Sequence, residues 1–254
     1  MQKLPVSVCI LCKNEEDRLH RCLSALKDFE EIIIADTGSS DSSLEIISQY
    51  EVKLYKDDWV NFSHNRKILF ERASCKWIFW LDADEVVSPS LVEEIKNKIL
   101  NNDADVSAFE MNRMVYFEDQ WIKHGGWFPD WVLRVFRSDA WHMEMNAVHE
   151  SLHINGKKVR LNNILEHYSF RSWEDLHQRS KFYESLWVKD RMSRGKKVSK
   201  LSPYTHASFV FFKNLVLRRG FLDGKLGLQI VLLNTKEVFR KYCSLLKAIE
   251  ESKK

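Results

Sequence analysis

Two hydrophobic rhythms alternate along the first hundred residues. Residues 6–12, 31–35, 52–55 and 77–81 are short, nearly unbroken apolar runs, rich in β-branched and aromatic side chains. Runs of that kind read as strands buried on both faces. Between them the apolar positions recur at helical spacing. Residues 15–27 carry Leu19, Cys22, Leu23 and Leu26 on one stripe, and residues 64–73 read as a second helix. Ser42 and Glu45 have capping-box spacing for a helix running through Tyr50, and Ser88-Pro89 starts a helix to about Leu100. Such alternation predicts parallel β-α-β units in a doubly wound α/β sheet. Residues 106–111 and 132–136 read as later strands and 173–194 as a long helix. From about Ser202 the chain is helical and apolar on a broad face. The expected division is an α/β domain over residues 1–170, with halves at about 1–105 and 106–170, and a helical region over 171–254.

Composition adds limits. The chain has 254 residues, 44% hydrophobic and 30% charged, which is globular balance. Its five cysteines form no framework, and this suits a reducing cytosol. Cys9 and Cys12 have C-x-x-C spacing but fall inside a strand, where i and i+3 point to opposite faces, so both read as core residues. No leader pattern is visible, and no apolar run approaches the roughly 18 residues of a membrane span. The expected location is cytoplasmic. Net charge is +3, unevenly spread: Lys189 onward holds 16 basic and 5 acidic residues, and the preceding part 23 and 31. That asymmetry predicts a surface-binding tail on an acidic body.

The chemistry begins where the run 77–81 stops. Asp82, Asp84 and Glu85 place three carboxylates at the end of a buried strand. In an open parallel sheet ligands bind beyond the carboxyl ends of strands. Hard oxygens there suit Mg²⁺ or Mn²⁺ with a diphosphate, the plainer alternative being a solvated turn. Asp36 ends another strand and is followed by Thr37-Gly38-Ser39-Ser40-Asp41, and Asn14-Glu15 follows the first. Three strand ends therefore send acids to one rim, an arrangement whose repulsion costs stability unless a ligand uses it.

Cys12-Lys13-Asn14-Glu15, Ala35 to Asp41 and Leu81-Asp82-Ala83-Asp84-Glu85 resemble, in order and spacing, the three N-terminal motifs of family 2 glycosyltransferases. The resemblance implies a GT-A fold and an inverting, nucleotide-sugar-dependent transferase. It places Glu15 and Asp36 in the nucleoside pocket and Asp82 and Asp84 as the D-x-D pair, Asp84 toward a divalent metal. Arg66, on the helix before that strand, is placed to reach the diphosphate or else is a surface arginine. Thr37 departs from the pattern, since a second Asp often stands there. Further on, His124 to Arg137, Val148-His149-Glu150-Ser151-Leu152 and Arg218 to Gly227 resemble bacterial lipopolysaccharide-core β-glucosyltransferases of the WaaE type, which implies a UDP-hexose donor and an inner-core heptose acceptor. A capsule intermediate or a protein is the alternative acceptor, and a silent sugar-binding module the alternative of another class.

An inverting transfer needs a carboxylate to take the acceptor proton. Glu150, which His149 is placed to orient, and Asp130 are the candidates. Asp130 has the alternative of pairing with Arg134. Trp127, Trp131 and Trp141 are candidate sugar platforms or core residues. No histidine pair has zinc spacing. In the tail, Lys189, Arg191, Arg194, Lys196, Lys197 and Lys200 precede an apolar stretch from Phe209 to Leu217 that ends at Arg218-Arg219. Basic residues beside an amphipathic helix suit the anionic, cytoplasmic face of an inner membrane. Packing of that face on the protein itself is the alternative, and no motif points to nucleic acid.

Overall fold

The computed structural model describes residues 3–101, 105–144, 151–195 and 198–252. These fall into two units, Met1–Met114 with Asp130–Ser169, and Val115–Pro129 with Phe170–Lys254.

In chain order the elements begin β1 (Leu4–Cys12), α1 (Glu16–Ser24), β2 (Phe29–Asp36), α2 (Ser43–Ile47), β3 (Lys53–Lys56), α3 (Phe62–Glu71) and β4 (Trp77–Asp82). They continue with β5 (Glu85–Val87), α4 (Pro89–Leu100), β6 (Val106–Phe117), β7 (Gln120–Trp121), β8 (Trp131–Arg137), β9 (Trp141–Glu144), β10 (Ser151–Ile154) and β11 (Lys157–Phe170). β7 and the ends of β6 and β11 belong to the second unit. The sheet runs β3-β2-β1-β4-β8-β6-β11-β5. β3, β2, β1 and β4 are parallel neighbours, whereas β4–β8, β8–β6 and β11–β5 pair antiparallel. Strand order reverses at β1, with β2 on one side and β4 on the other, so the crevice at their carboxyl ends is where such sheets take ligands.

Period-two burial explains why these strands are apolar throughout. Val6, Val8, Ile10 and Cys12 of β1 join Phe79 and Leu81 of β4 in a core beneath α1, α2 and α4. The intervening Cys9, Ile33, Ala35 and Ile78 enter a second core with Leu69 and Phe70 of α3. Cys9 and Cys12 thus lie on opposite faces, both free and buried. Helix starts follow cap chemistry: Asn61 Oδ1 accepts the His64 N–H at 2.8 Å and Ser88 Oγ that of Leu91 at 3.2 Å. At α2 the expected capping box does not form. Asp41 Oδ1 accepts the Ser43 N–H at 3.0 Å, and the Ser42 N–H turns to Glu16 instead.

The second unit adds α5 (Trp173–Ser193), α6 (Ser202–Phe212), a π-turn over Lys213–Leu217, a 3₁₀ turn over Gly220–Asp223 and α7 (Gly224–Glu251). Its core gathers Val115, Phe117, Ile122, Leu176, Leu226 and Ile230. α5 is bound to α7 through Glu184, which takes the Ser244 hydroxyl at 2.6 Å and the Arg240 guanidinium. No helix among the described residues is long and apolar enough to cross a membrane.

Candidate active site

The register of the parallel strands brings the acids level. Cys12 pairs with Asp36, Leu11 with Asp82, and Asp36 with Lys56. Two loops are then stitched together at this edge. Asn14 donates its N–H to Ser39 Oγ at 3.0 Å and accepts the Ser40 N–H at 2.8 Å; Glu15 donates to Ser43 Oγ at 2.9 Å. Asn14 and Gly38 hold φ of 55° and 94° to make these turns. The Asp36 carboxylate, 3% exposed, folds back to accept the N–H groups of Gly38 and Ser39, both at 3.1 Å. It shapes the loop before it can touch a ligand.

Beyond β4 the three carboxylates meet a set of cations. Asp82 Oδ1 accepts from Arg66 Nη2 at 2.8 Å, and its Oδ2 from Arg134 Nη2 at 2.6 Å. The same Arg134 nitrogen lies 2.5 Å from Glu85 Oε1, and Glu85 Oε2 takes the Asp82 N–H at 3.1 Å. Arg66 and Arg134 also lie over the Trp80 ring, 4.4 and 4.8 Å from its centroid. Asp84 Oδ2 accepts from Arg18 Nη1 at 2.9 Å and lies 3.2 Å from His167 Nε2. Arg18 in turn lies 3.7 Å from Glu15. Glu15, Asp82, Asp84 and Arg66 therefore come together on one rim.

Electrostatics differ between the acids. Burial acts most strongly on Asp82 and opposes its charge, but Arg134, Arg66 and His167 together outweigh it and hold the carboxyl well below its ordinary range. Asp84 follows the same pattern, with burial opposed chiefly by His167. Glu85, with no exposure at all, goes the other way: burial and the neighbouring Asp82 raise it despite Arg134. Glu85 is thus the first residue of β5 and the anchor of Arg134.

Asp130 does not pair with Arg134, which is committed to Asp82 and Glu85. Its Oδ2 is held by Arg113 instead, from Nε at 2.9 Å and Nη2 at 2.8 Å. Arg113 Nη1 reaches Glu85 at 3.5 Å, so Asp130 is tied to the acidic cluster through an arginine. His149 and Glu150 lie outside the described residues. Of the three tryptophans, Trp141 is packed on Phe70 and Trp127 on Phe170, while Trp131 is 38% exposed with Arg160 over its ring.

The sequence alone does not point to His167 or Arg18, and it offers Arg134 only as a partner for Asp130. Arg134 carries a readable signal, a cation set between Leu133 and Val135 in the middle of the strand Trp131–Arg137. His167 has only its place in β11 opposite Glu85. Among the described residues no group of three or more His, Cys, Asp or Glu side chains could hold a metal alone. The Asp84–His167 pair offers one oxygen and one nitrogen, and His167 Nδ1 is buried with no hydrogen-bond partner among the described residues. Two protein ligands fit a Mg²⁺ or Mn²⁺ that takes its remaining ligands from phosphate oxygens and water.

Comparison with known proteins finds glycosyltransferases among the relatives of this chain. An uncharacterized glycosyltransferase of Rickettsia felis is 28% identical over 231 residues, 86% of this chain and 81% of its own. The lipopolysaccharide core biosynthesis glycosyltransferase LpsC of Rhizobium meliloti is 24% identical over 94% of each chain. Among solved structures, glucosyl-3-phosphoglycerate synthase from Mycobacterium tuberculosis with Mn²⁺, uridine diphosphate and phosphoglyceric acid aligns over 43% of each chain, with 16% identity and a TM-score of 0.36, too partial a likeness to bear on this chain. Residues 7–155, more than half of the chain, match the family described as Glycosyl transferase family 2. The α/β sheet with its acidic rim, followed by a helical region, is therefore that of a transferase, and the chain belongs to glycosyltransferase family 2.

Proposed function

We propose that this enzyme moves a hexosyl group, glucose in the first instance, from a UDP-sugar to an inner-core heptose of lipopolysaccharide by a single inverting displacement. One observation carries the reading: the ends of β1, β2 and β4 bring Glu15, Asp36, Asp82 and Asp84 to the edge where strand order reverses, with Arg66 beside them. The acceptor assignment draws support from the core-biosynthesis relative.

In this reading Asp36 and the loop it shapes receive the nucleoside, with Glu15 close by. Asp82 faces the ribose, and Arg66, now on Asp82, turns to the diphosphate. Asp84 and His167 hold Mg²⁺ or Mn²⁺, which when bound neutralises charge on the departing diphosphate. The acceptor hydroxyl oxygen forms a bond to the anomeric carbon as the bond to the diphosphate oxygen breaks, and UDP leaves. A carboxylate takes the hydroxyl proton. Glu150, oriented by His149, has that role, because the Asp130 carboxylate is already engaged by Arg113. Residues 1–170 serve as the catalytic domain, and the basic C-terminal region attaches the enzyme to the cytoplasmic face of the inner membrane.

Titration calorimetry tests the donor half. UDP should bind in the presence of Mn²⁺ and weaken by about tenfold or more in Asp84→Ala. Equal binding with and without metal, unchanged by the substitution, removes the assignment.

A further inference from the structure

We propose that the turn between α6 and α7, residues 213–224, is the element that enters an anionic lipid bilayer; the inference deepens the membrane attachment proposed above. This turn is built inside out. Its buried residues are Asn214, Gly220 and Asp223, whereas Val216, Leu217, Phe221 and Leu222 are exposed, Leu217 by 69%. Ordinary surfaces show the reverse, and contiguous exposed apolar groups mark an interaction site.

The turn is also fixed in this form. α6 and α7 run antiparallel, with Tyr204 against Phe239 and Gly220 against Gly227. A Cβ on Gly227 would stand 2.0 Å from the Gly220 carbonyl oxygen, so only glycine lets the two segments touch. Asp223 Oδ2 accepts the N–H groups of Lys123 at 3.0 Å and His124 at 2.7 Å, and its Oδ1 meets His124 Nδ1 at 2.6 Å. The Gly125 N–H binds the Arg218 carbonyl at 2.9 Å. Arg219, though not glycine, is held at φ 52°. With its polar groups pinned inward, the turn holds its apolar side chains outward.

Charge identifies what covers them. From Arg191 to Leu222 there is no Asp or Glu, while Lys200, Lys213, Arg218 and Arg219 are basic. A second copy docking face to face would bring arginines together with no carboxylate in the stretch to answer them. An anionic leaflet answers both features, taking Leu217, Phe221 and Leu222 into its acyl boundary and the flanking cations at its headgroups.

The test is co-sedimentation of the full chain with vesicles of phosphatidylcholine alone and of phosphatidylcholine mixed with phosphatidylglycerol. The expected result is binding to the anionic vesicles, weakened about tenfold or more in Leu217→Ser/Phe221→Ser. Binding should also weaken in Arg219→Asn, which tolerates the same backbone. Circular dichroism and metal-dependent UDP binding should match wild type in both variants. Wild-type failure to bind vesicles, or equal binding by the double serine variant, overturns the proposal. So does conversion of a dimer to a monomer in that variant with vesicle binding intact, which gives the face to a second copy. Loss of UDP binding by wild type would fault the donor assignment and leave the vesicle result standing.

Discussion

Arg134 and Glu85 meet at 2.5 Å with side chains 4% and 0% exposed. The same guanidinium nitrogen holds Asp82 at 2.6 Å, so one cation balances two carboxylates behind the acidic rim. Removing it leaves Asp82 to Arg66 and buried Glu85 to the longer contact with Arg113 at 3.5 Å, a poorly compensated buried charge. Arg134→Met should destabilise the protein by about 3–5 kcal/mol, read as a fall in the urea midpoint. A midpoint equal to wild type would mean that Glu85 and Asp82 do not need this cation.

Acid should act at a second carboxylate, away from the rim. Glu31 is held by Lys53 at 2.6 Å, by Ser74 and by Ser7. Burial opposes its charge, and these bonds overcome it, lowering the carboxyl from 4.5 to about 2. A lowered folded value means stability present above the unfolded value and lost as pH falls through the folded one. Wild type should therefore lose stability between pH 4.5 and about 2 more steeply than Glu31→Gln, in urea titrations at fixed pH. Parallel slopes would contradict the assignment. Asp82 and Asp84 add to the same acid loss, whereas Glu85, raised, has the opposite sign and favours folding at low pH.

His167 separates a metal role from a structural one. If it holds the cation with Asp84, His167→Ala should raise the Mn²⁺ concentration for half-maximal activity by about 10–100-fold, with activity restored at saturating metal. An unchanged metal titration with a reduced maximum would assign His167 to orienting Asp84 alone.

Gly227→Ala should destabilise the second unit by about 1–3 kcal/mol, because the methyl group meets a backbone carbonyl rather than a flexible side chain. Thermal unfolding reads it; a melting temperature equal to wild type would show that the α6–α7 turn moves to make room.

Much of this was legible in the sequence because it is local. Continuous apolar runs place β1, β2 and β4, their alternate residues fill two cores, and the acids that end them fall on one edge because parallel strands share a direction. The positions of Asp36, Asp82 and Asp84 on that edge are read this way. What escaped is set by pairing across long intervals. Arg134 reaches Asp82 from 52 residues away and Glu85 from 49. His167 reaches Asp84 from a strand whose antiparallel register with β5 no local pattern encodes. The capping box at Ser42 failed for a related reason: Asp41 sits one residue earlier with a stronger acceptor, and Glu16 from the neighbouring loop takes the Ser42 N–H. Asp130 found Arg113 rather than the Arg134 that lies nearer in sequence, since Arg134 was already drawn to two buried carboxylates.

The proposed reaction is an inverting hexosyl transfer that depends on the acidic rim. Its most direct test supplies purified enzyme with UDP-glucose, Mn²⁺ and truncated core lipid ending in heptose, following UDP release and determining the new linkage by NMR. A β-linked hexose formed in step with UDP, and reduced about 10³-fold in Asp84→Ala, is the predicted result. An α-linked product, transfer from no UDP-hexose, or full activity in Asp84→Ala would contradict the account.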